Sequence, residues 1–214
     1  MRRARASASE PWTARERALL GRLDTPARIQ EFLDAVPYSD DLFYRCPRKV
    51  MKDGKAHCFD GAVFAAACLR RLGHPALVLD LRAVRDDDHV LAPFRQNGRL
   101  GAVAKSNFAG LRFREPIHRT LRELVLTYFE DYYNVEGEKT LRGYSGLLDL
   151  AAFERVAWRT DDAPMDAIAA RLDSMKHAQV LTKTMERALS PKDRRGYEAG
   201  MHGTIASGLY GAKG

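Results

Sequence analysis

Residues 55–73 read KAHCFDGAVFAAACLRRLG, and Ala62, Val63, Phe64, Ala65, Ala66, Ala67, Cys68, Leu69 and Leu72 leave no polar stripe before Arg70. A short helix that is apolar on every side belongs inside a domain, not on its surface. Gly73 supplies a left-handed stop and Pro75 keeps the helix from resuming. The chain is therefore expected to drive a helix through its core with Cys58 at the N-terminal mouth. Free backbone N–H groups and the helix dipole at that position favour a thiolate over a thiol. The same N–H groups suit a developing oxyanion. Against this stands the ordinary fate of cysteine, which is inert packing.

Composition narrows the setting. The 214 residues are 45% hydrophobic and 29% charged, enough for one well-cored domain. No apolar run is long enough to span a bilayer. The start, MRRARASASEPW, is basic and lacks an apolar h-region, so residues 1–12 are expected to be a disordered basic tail and not a secretory signal. A cytoplasmic protein is the default. Cys46, Cys58 and Cys68 form no CxxC spacing, which argues against a disulfide framework or a zinc ribbon. The net charge of +7 permits attraction to polyanions, but basic residues are interleaved with acids and no recognition motif accompanies them. No nucleic-acid partner is expected.

Thr13 with Glu16 predicts a capping box, and Thr25-Pro26 a second helix start carrying Ile29, Phe32, Leu33 and Val36 at helical spacing. Residues 38–54 have no clean period and read as a loop, with Tyr44, Arg45 and Lys52 near enough to line a pocket. Residues 76–83 read as a strand. The acid run Asp86, Asp87, Asp88 leads to His89 at the start of another strand. Asn97-Gly98 predicts a hairpin turn, and residues 100–104 a third strand running out at Lys105, Ser106 and Asn107. Glu115-Pro116 predicts a regular helix to Asn134, Asp149 a short helix through Trp158, and residues 163–181 another. From Ser190 periodicity disappears, so residues 190–214 are expected to be a flexible tail.

A thiol nucleophile needs a base, and the base needs an orienting partner. Cys58, His89 and either Asn107 or Ser106 follow in that order at strand-sized spacing. Strand alternation puts Ser106 and Asn107 on opposite faces, and Asn107 is preferred. His57 is a rival base ranked second, because adjacent residues rarely face one another. Asp88 is expected to tune His89, and Tyr44, His57, Asp88 and Ser106 are the candidates for contact with substrate or oxyanion.

The pattern C-x-D-G-A-x-x-x-A-A-x-L-R-x-L-G-H-P-A, then a strand, then D-H-V and N-G-R, resembles the transglutaminase-like branch of the papain-type cysteine superfamily. The resemblance covers residues 51–108. It implies an α+β core of a buried central helix packed on an antiparallel sheet; the flanking N- and C-terminal helices expected around that core, Glu115 to Asn134 among them, match no element of that family. The resemblance also implies thiol acyl transfer on a peptide or other amide substrate, with Cys58 as nucleophile and His89 as general acid/base. Where that family carries an aspartate, this chain offers Asn107. No glutamine precedes Cys58 as an oxyanion donor, and Tyr44 is the aromatic offered for that role.

Residues 13–189 are thus read as a single domain. A non-catalytic binding or scaffold module on the same fold is the alternative. A metal site from Cys58, His57, His89 and Asp86–Asp88 is a third reading, though its spacing matches no standard motif. No organic cofactor is implied, since Gly61 and Gly73 are helix residue and cap and not a phosphate cradle.

Overall fold

The computed structural model describes residues 11–211. Helices α1 (Ala14–Gly21) and α2 (Pro26–Ala35) open it, and both caps are those the sequence predicts. Thr13 and Glu16 form a reciprocal capping box, and the Thr25 hydroxyl accepts from Arg28 N–H ahead of Pro26. Trp12 is buried in the core, so the tail predicted over residues 1–12 is corrected at its inner end; residues 1–10 lie outside the described residues. Helix α3 (Pro47–Asp53) falls where only loop was expected. A first-turn proline starts it and Gly54, at φ 66°, closes it, a helix too short to show a period.

Helix α4 (Cys58–Arg71) is the central element. Every residue from Phe59 to Leu69 is buried, and Gly73 takes φ 92° just beyond its end. Gly61 is there for close approach: a Cβ on it would come within 2.3 Å of Lys105 Cβ. Against α4 lie β1 (Leu77–Ala83), β2 (His89–Gln96) and β3 (Arg99–Val103), with the β2–β3 turn at Asn97-Gly98, both at positive φ. The strands β4 (Arg114–His118), β5 (Leu141–Tyr144) and β7 (Ala178–Gln179) complete the order β4-β3-β2-β1-β5-β7, and β6 (Leu148–Asp149) also pairs with β1. All these pairings are antiparallel. The fold is α+β.

Both faces of the sheet are covered, which is why β1 and β2 read as nearly continuous apolar runs. Val78, Val90, Ala92 and Phe94 face α4 and its neighbours, while Leu79, Leu81 and Leu91 face a second core with Leu124, Tyr128 and Tyr132. That second core comes from a region the sequence misassigns. The helix predicted over 115–134 is strand β4, then α5 (Leu121–Leu126) and a 3-10 turn at Phe129–Asp131. Pro116 suits an edge strand as well as a helix start, and the true cap is Thr120, whose hydroxyl accepts from Glu123 N–H. Ile117 consequently stands exposed.

Asp149 caps a 3-10 segment, Leu150–Val156, as expected of it. The helix predicted over 163–181 shortens to α6 (Met165–Asp173) and gives way to β7; α7 (Lys183–Arg187) follows. Residues 212–214 lie outside the described residues; the tail expected over residues 190–214 is corrected as far as residue 211. It forms α8 (Arg194–Met201) and runs back along the domain, with the Tyr133 hydroxyl donating to Gly196 and Tyr197 carbonyls and Ala109 N–H to the Gly200 carbonyl. These are main-chain contacts, which carry no hydrophobic period to read. Among the described residues, no helix is long and apolar enough to cross a membrane.

Candidate active site

Cys58 occupies the first turn of α4, and His57 caps it. The His57 Nδ1 accepts from the N–H groups of Phe59 and Asp60, while the Asp60 carboxylate accepts from His57 N–H. His57 is therefore spent on the helix start and is not a base for Cys58. Asp60 is fully buried. It accepts from Arg45 N–H at 2.7 Å and meets the Arg45 guanidinium at 3.5 Å, and Arg45 also binds Asp53, Ser39 and Asp41. So Arg45, expected in a pocket, is a buried strut that ties the loop before α3 to the root of α4; Lys52 stays exposed.

The Cys58 thiol sits at the head of β2, 3.7 Å from the Asp88 carbonyl. Burial, with the nearby Asp87 and Asp60 charges, outweighs the main-chain N–H groups of Val90 and Phe59 that favour the thiolate. The thiol is pushed up to about 12, burial being the first cause. That is opposite to the depressed value a helix start alone suggests, because the site is short of water.

His89 opens β2 as predicted and is buried. Its Nε2 lies 2.9 Å from the Leu111 carbonyl. A carbonyl only accepts, so Nε2 carries the proton and Nδ1 is left with its lone pair. Desolvation holds the ring's pKa down to about 4, and the imidazole is neutral at pH 7. Cys58 and His89 line the same small cavity, about 30 Å³, closed on other sides by Tyr38, Tyr132 and Ser106 among others.

Asn107 lies against this cavity but does not orient His89. Its Nδ2 donates to the Ile205 carbonyl at 2.9 Å, and its Oδ1 accepts from Ile205 N–H at 2.8 Å. The orienting contact comes instead from a main-chain carbonyl, Leu111, which no side-chain motif can reveal. Ser106 accepts from Phe108 N–H and braces its own turn. Because β3 ends at Val103, alternation does not apply to Ser106 and Asn107, and both line the cavity. Asp88 turns its carboxylate to Ala83 N–H and Arg82, tying its own loop. Tyr132 steadies that loop, its hydroxyl donating to the Asp87 carbonyl at 2.7 Å.

Tyr44 packs on His57 and Phe59 and lines a wider cleft of about 840 Å³ that opens beyond Cys58. The aromatic at the thiol is Tyr38. Its main chain bridges Ala56, two residues ahead of the start of α4, and it lines the small cavity together with Cys58. A second residue missed by the sequence reading is His177, which reaches the buried Asp80 at 2.7 Å behind the cleft. Burial is the leading cause that lifts Asp80 to about 6.

The metal reading fails on geometry. Among the described residues, no three His, Cys, Asp or Glu side chains gather to hold an ion, and His57 and Asp88 are engaged elsewhere. Comparison of the chain with family models finds no match, and no curated protein matches it. What stands is an α+β domain with a cysteine and a histidine facing one cavity at the root of its central helix.

Proposed function

We propose that the protein is a cysteine-dependent acyl-transfer or amide-hydrolysing enzyme. The observation that carries this reading is the shared cavity of Cys58 and a His89 whose Nε2–H is committed to Leu111, which leaves Nδ1 free to act as a base. In the reaction Sγ attacks the substrate carbonyl while its proton passes to Nδ1. The oxyanion is met by the Cys58 N–H at the start of α4 and by the Tyr38 hydroxyl, whose residue lines the same cavity. His89 then returns the proton to the leaving amine, giving a thioester that water or a second amine resolves. The thiol and imidazole start as a neutral pair, so proton transfer accompanies attack and does not precede it.

The test is acetylation by p-nitrophenyl acetate, read by peptide mass spectrometry. Cys58 should acquire the acetyl group, and His89→Ala should slow this by about a hundredfold or more. Cys58→Ala should abolish it, and Cys68→Ala, in the middle of α4, should leave the rate unchanged.

A scaffold module is the second reading, and two observations favour it. Among the described residues no carboxylate backs His89, and Asn107 is spent on Ile205. A Cys58 that stays unmodified, or that acylates equally fast without His89, would replace the enzyme reading with this one.

A further inference from the structure

We propose, resting on the acyl-transfer reading, that the mouth of the small cavity holding Cys58 and His89 is a groove for an extended peptide backbone. Asn107 is its main-chain clamp, and residues 204–211 of this chain are its resident occupant.

The clamp is chemically specific. One carboxamide offers one donor and one acceptor to the same residue, and Asn107 uses both on Ile205, at 2.9 and 2.8 Å. That is the face a neighbouring β-strand presents, and it reads main chain without reading side chains. The bound residue is extended, with φ −94° and ψ 120°. After a 3-10 turn at Ala206–Gly208 the chain is extended again at Leu209, with φ −91° and ψ 150°. Ile205, the residue the clamp holds, is 39% exposed, while Leu209 is half-buried and lines the cleft beside Cys58 together with Tyr210. The clamp itself takes only the main chain of Ile205, so another peptide can take the place.

One position is selective. A Cβ on Gly208 would come within 3.0 Å of the Tyr38 ring and 3.1 Å of Asn107 Nδ2. Gly208 and Tyr210 also line the small cavity that holds Cys58 and His89. The segment therefore crosses the nucleophile, with a glycine pressed between the proposed oxyanion tyrosine and the clamp. The substrate class that follows is a peptide or protein segment carrying glycine at that point. It must displace a covalently tethered competitor, whose effective concentration is high.

The probe is the fluorescent peptide GTIASGLYG, residues 203–211, titrated into the full chain by anisotropy. Ile205→Pro removes the N–H given to Asn107 Oδ1 and loosens the resident segment. Gly208→Val, placed in the chain, loosens it independently by crowding Tyr38 and Asn107. Each variant should bind the peptide at least about tenfold more tightly than wild type. Adding Asn107→Leu to Ile205→Pro should remove the gain, as should a Gly208→Val version of the peptide. Equal binding by wild type and both variants, or binding by none, would overturn the groove. Acetylation of Cys58 separates the two ideas. Peptide binding without His89-dependent acylation leaves the groove and removes the enzyme, and the reverse result removes the groove alone.

Discussion

Two carboxamides in this protein do the same thing to a main chain, and their surroundings differ. Gln30, on α2, pairs with both the N–H and the carbonyl of Ala104, at 3.0 and 2.8 Å, and the contact is buried on both sides. Asn107, three residues further along that strand's extension, pairs with both main-chain groups of Ile205, whose side chain stands in solvent. The first is a weld between α2 and the end of β3. The second is a latch. A hydrogen bond contributes little when water can replace it and is costly to lose when water cannot reach. The same chemistry therefore fixes one segment and leaves the other exchangeable, and the latch lies beside Cys58.

The widest separation between the two should come from Gln30→Ala. It leaves the Ala104 N–H and carbonyl buried without partners, at about 1–3 kcal/mol for each group. A loss of about 3 kcal/mol in urea unfolding is expected. A loss below about 1 kcal/mol would mean that water reaches Ala104 and that the contrast with Asn107 is false.

How dry the latched site is can be read from His89. Its folded pKa, near 4, is below its ordinary value because burial disfavours the cation. The unfolded chain therefore binds the proton more readily between pH 6.5 and 4. The stability contributed by the neutral ring is complete above pH 6.5 and is lost as pH falls through that window, with a slope of up to about 1.4 kcal/mol per pH unit. Asp60, Asp80 and Asp86, lifted by burial to about 7, 6 and 6, act in the opposite sense. The measurement is consequently a difference: urea midpoints of wild type minus His89→Gln from pH 7 to 4. The difference should shrink on acidification, and a flat line would place His89 in contact with water.

How much of this could be read from residues alone depended on which atoms did the work. The buried helix, its cysteine mouth, the Asn97-Gly98 hairpin and the histidine at the head of β2 are written in side-chain pattern, and each lies where expected. The partner of His89 is a carbonyl of Leu111, and every residue has one. Tyr38 sits in an aperiodic loop, and only its bridge to Ala56 brings it to the thiol. The helix expected after Glu115 failed because Pro116 fits an edge strand equally well and tertiary pairing with β3 decides between them. Asn107 lines the cavity, but the role of orienting His89 expected of it is not the one it plays. Its partner is a segment almost a hundred positions later, a contact that no local pattern encodes.

The smallest change in stability should come from Asn107→Ala, and it is the sharper test for being small. Its two hydrogen bonds go to a segment that solvent can serve once released, so unfolding should lose less than about 1 kcal/mol. Amide exchange of residues 203–211 should nevertheless rise to near the rate of an unstructured peptide, while α4 and β2 keep their protection. If the segment stays protected, it is held by contacts other than Asn107 and the latch is a weld after all. If α4 and β2 lose protection as well, Asn107 supports the core, and Gln30 and Asn107 belong to one class. Only the separated outcome, a free segment over an intact helix and strand, keeps the two carboxamides apart.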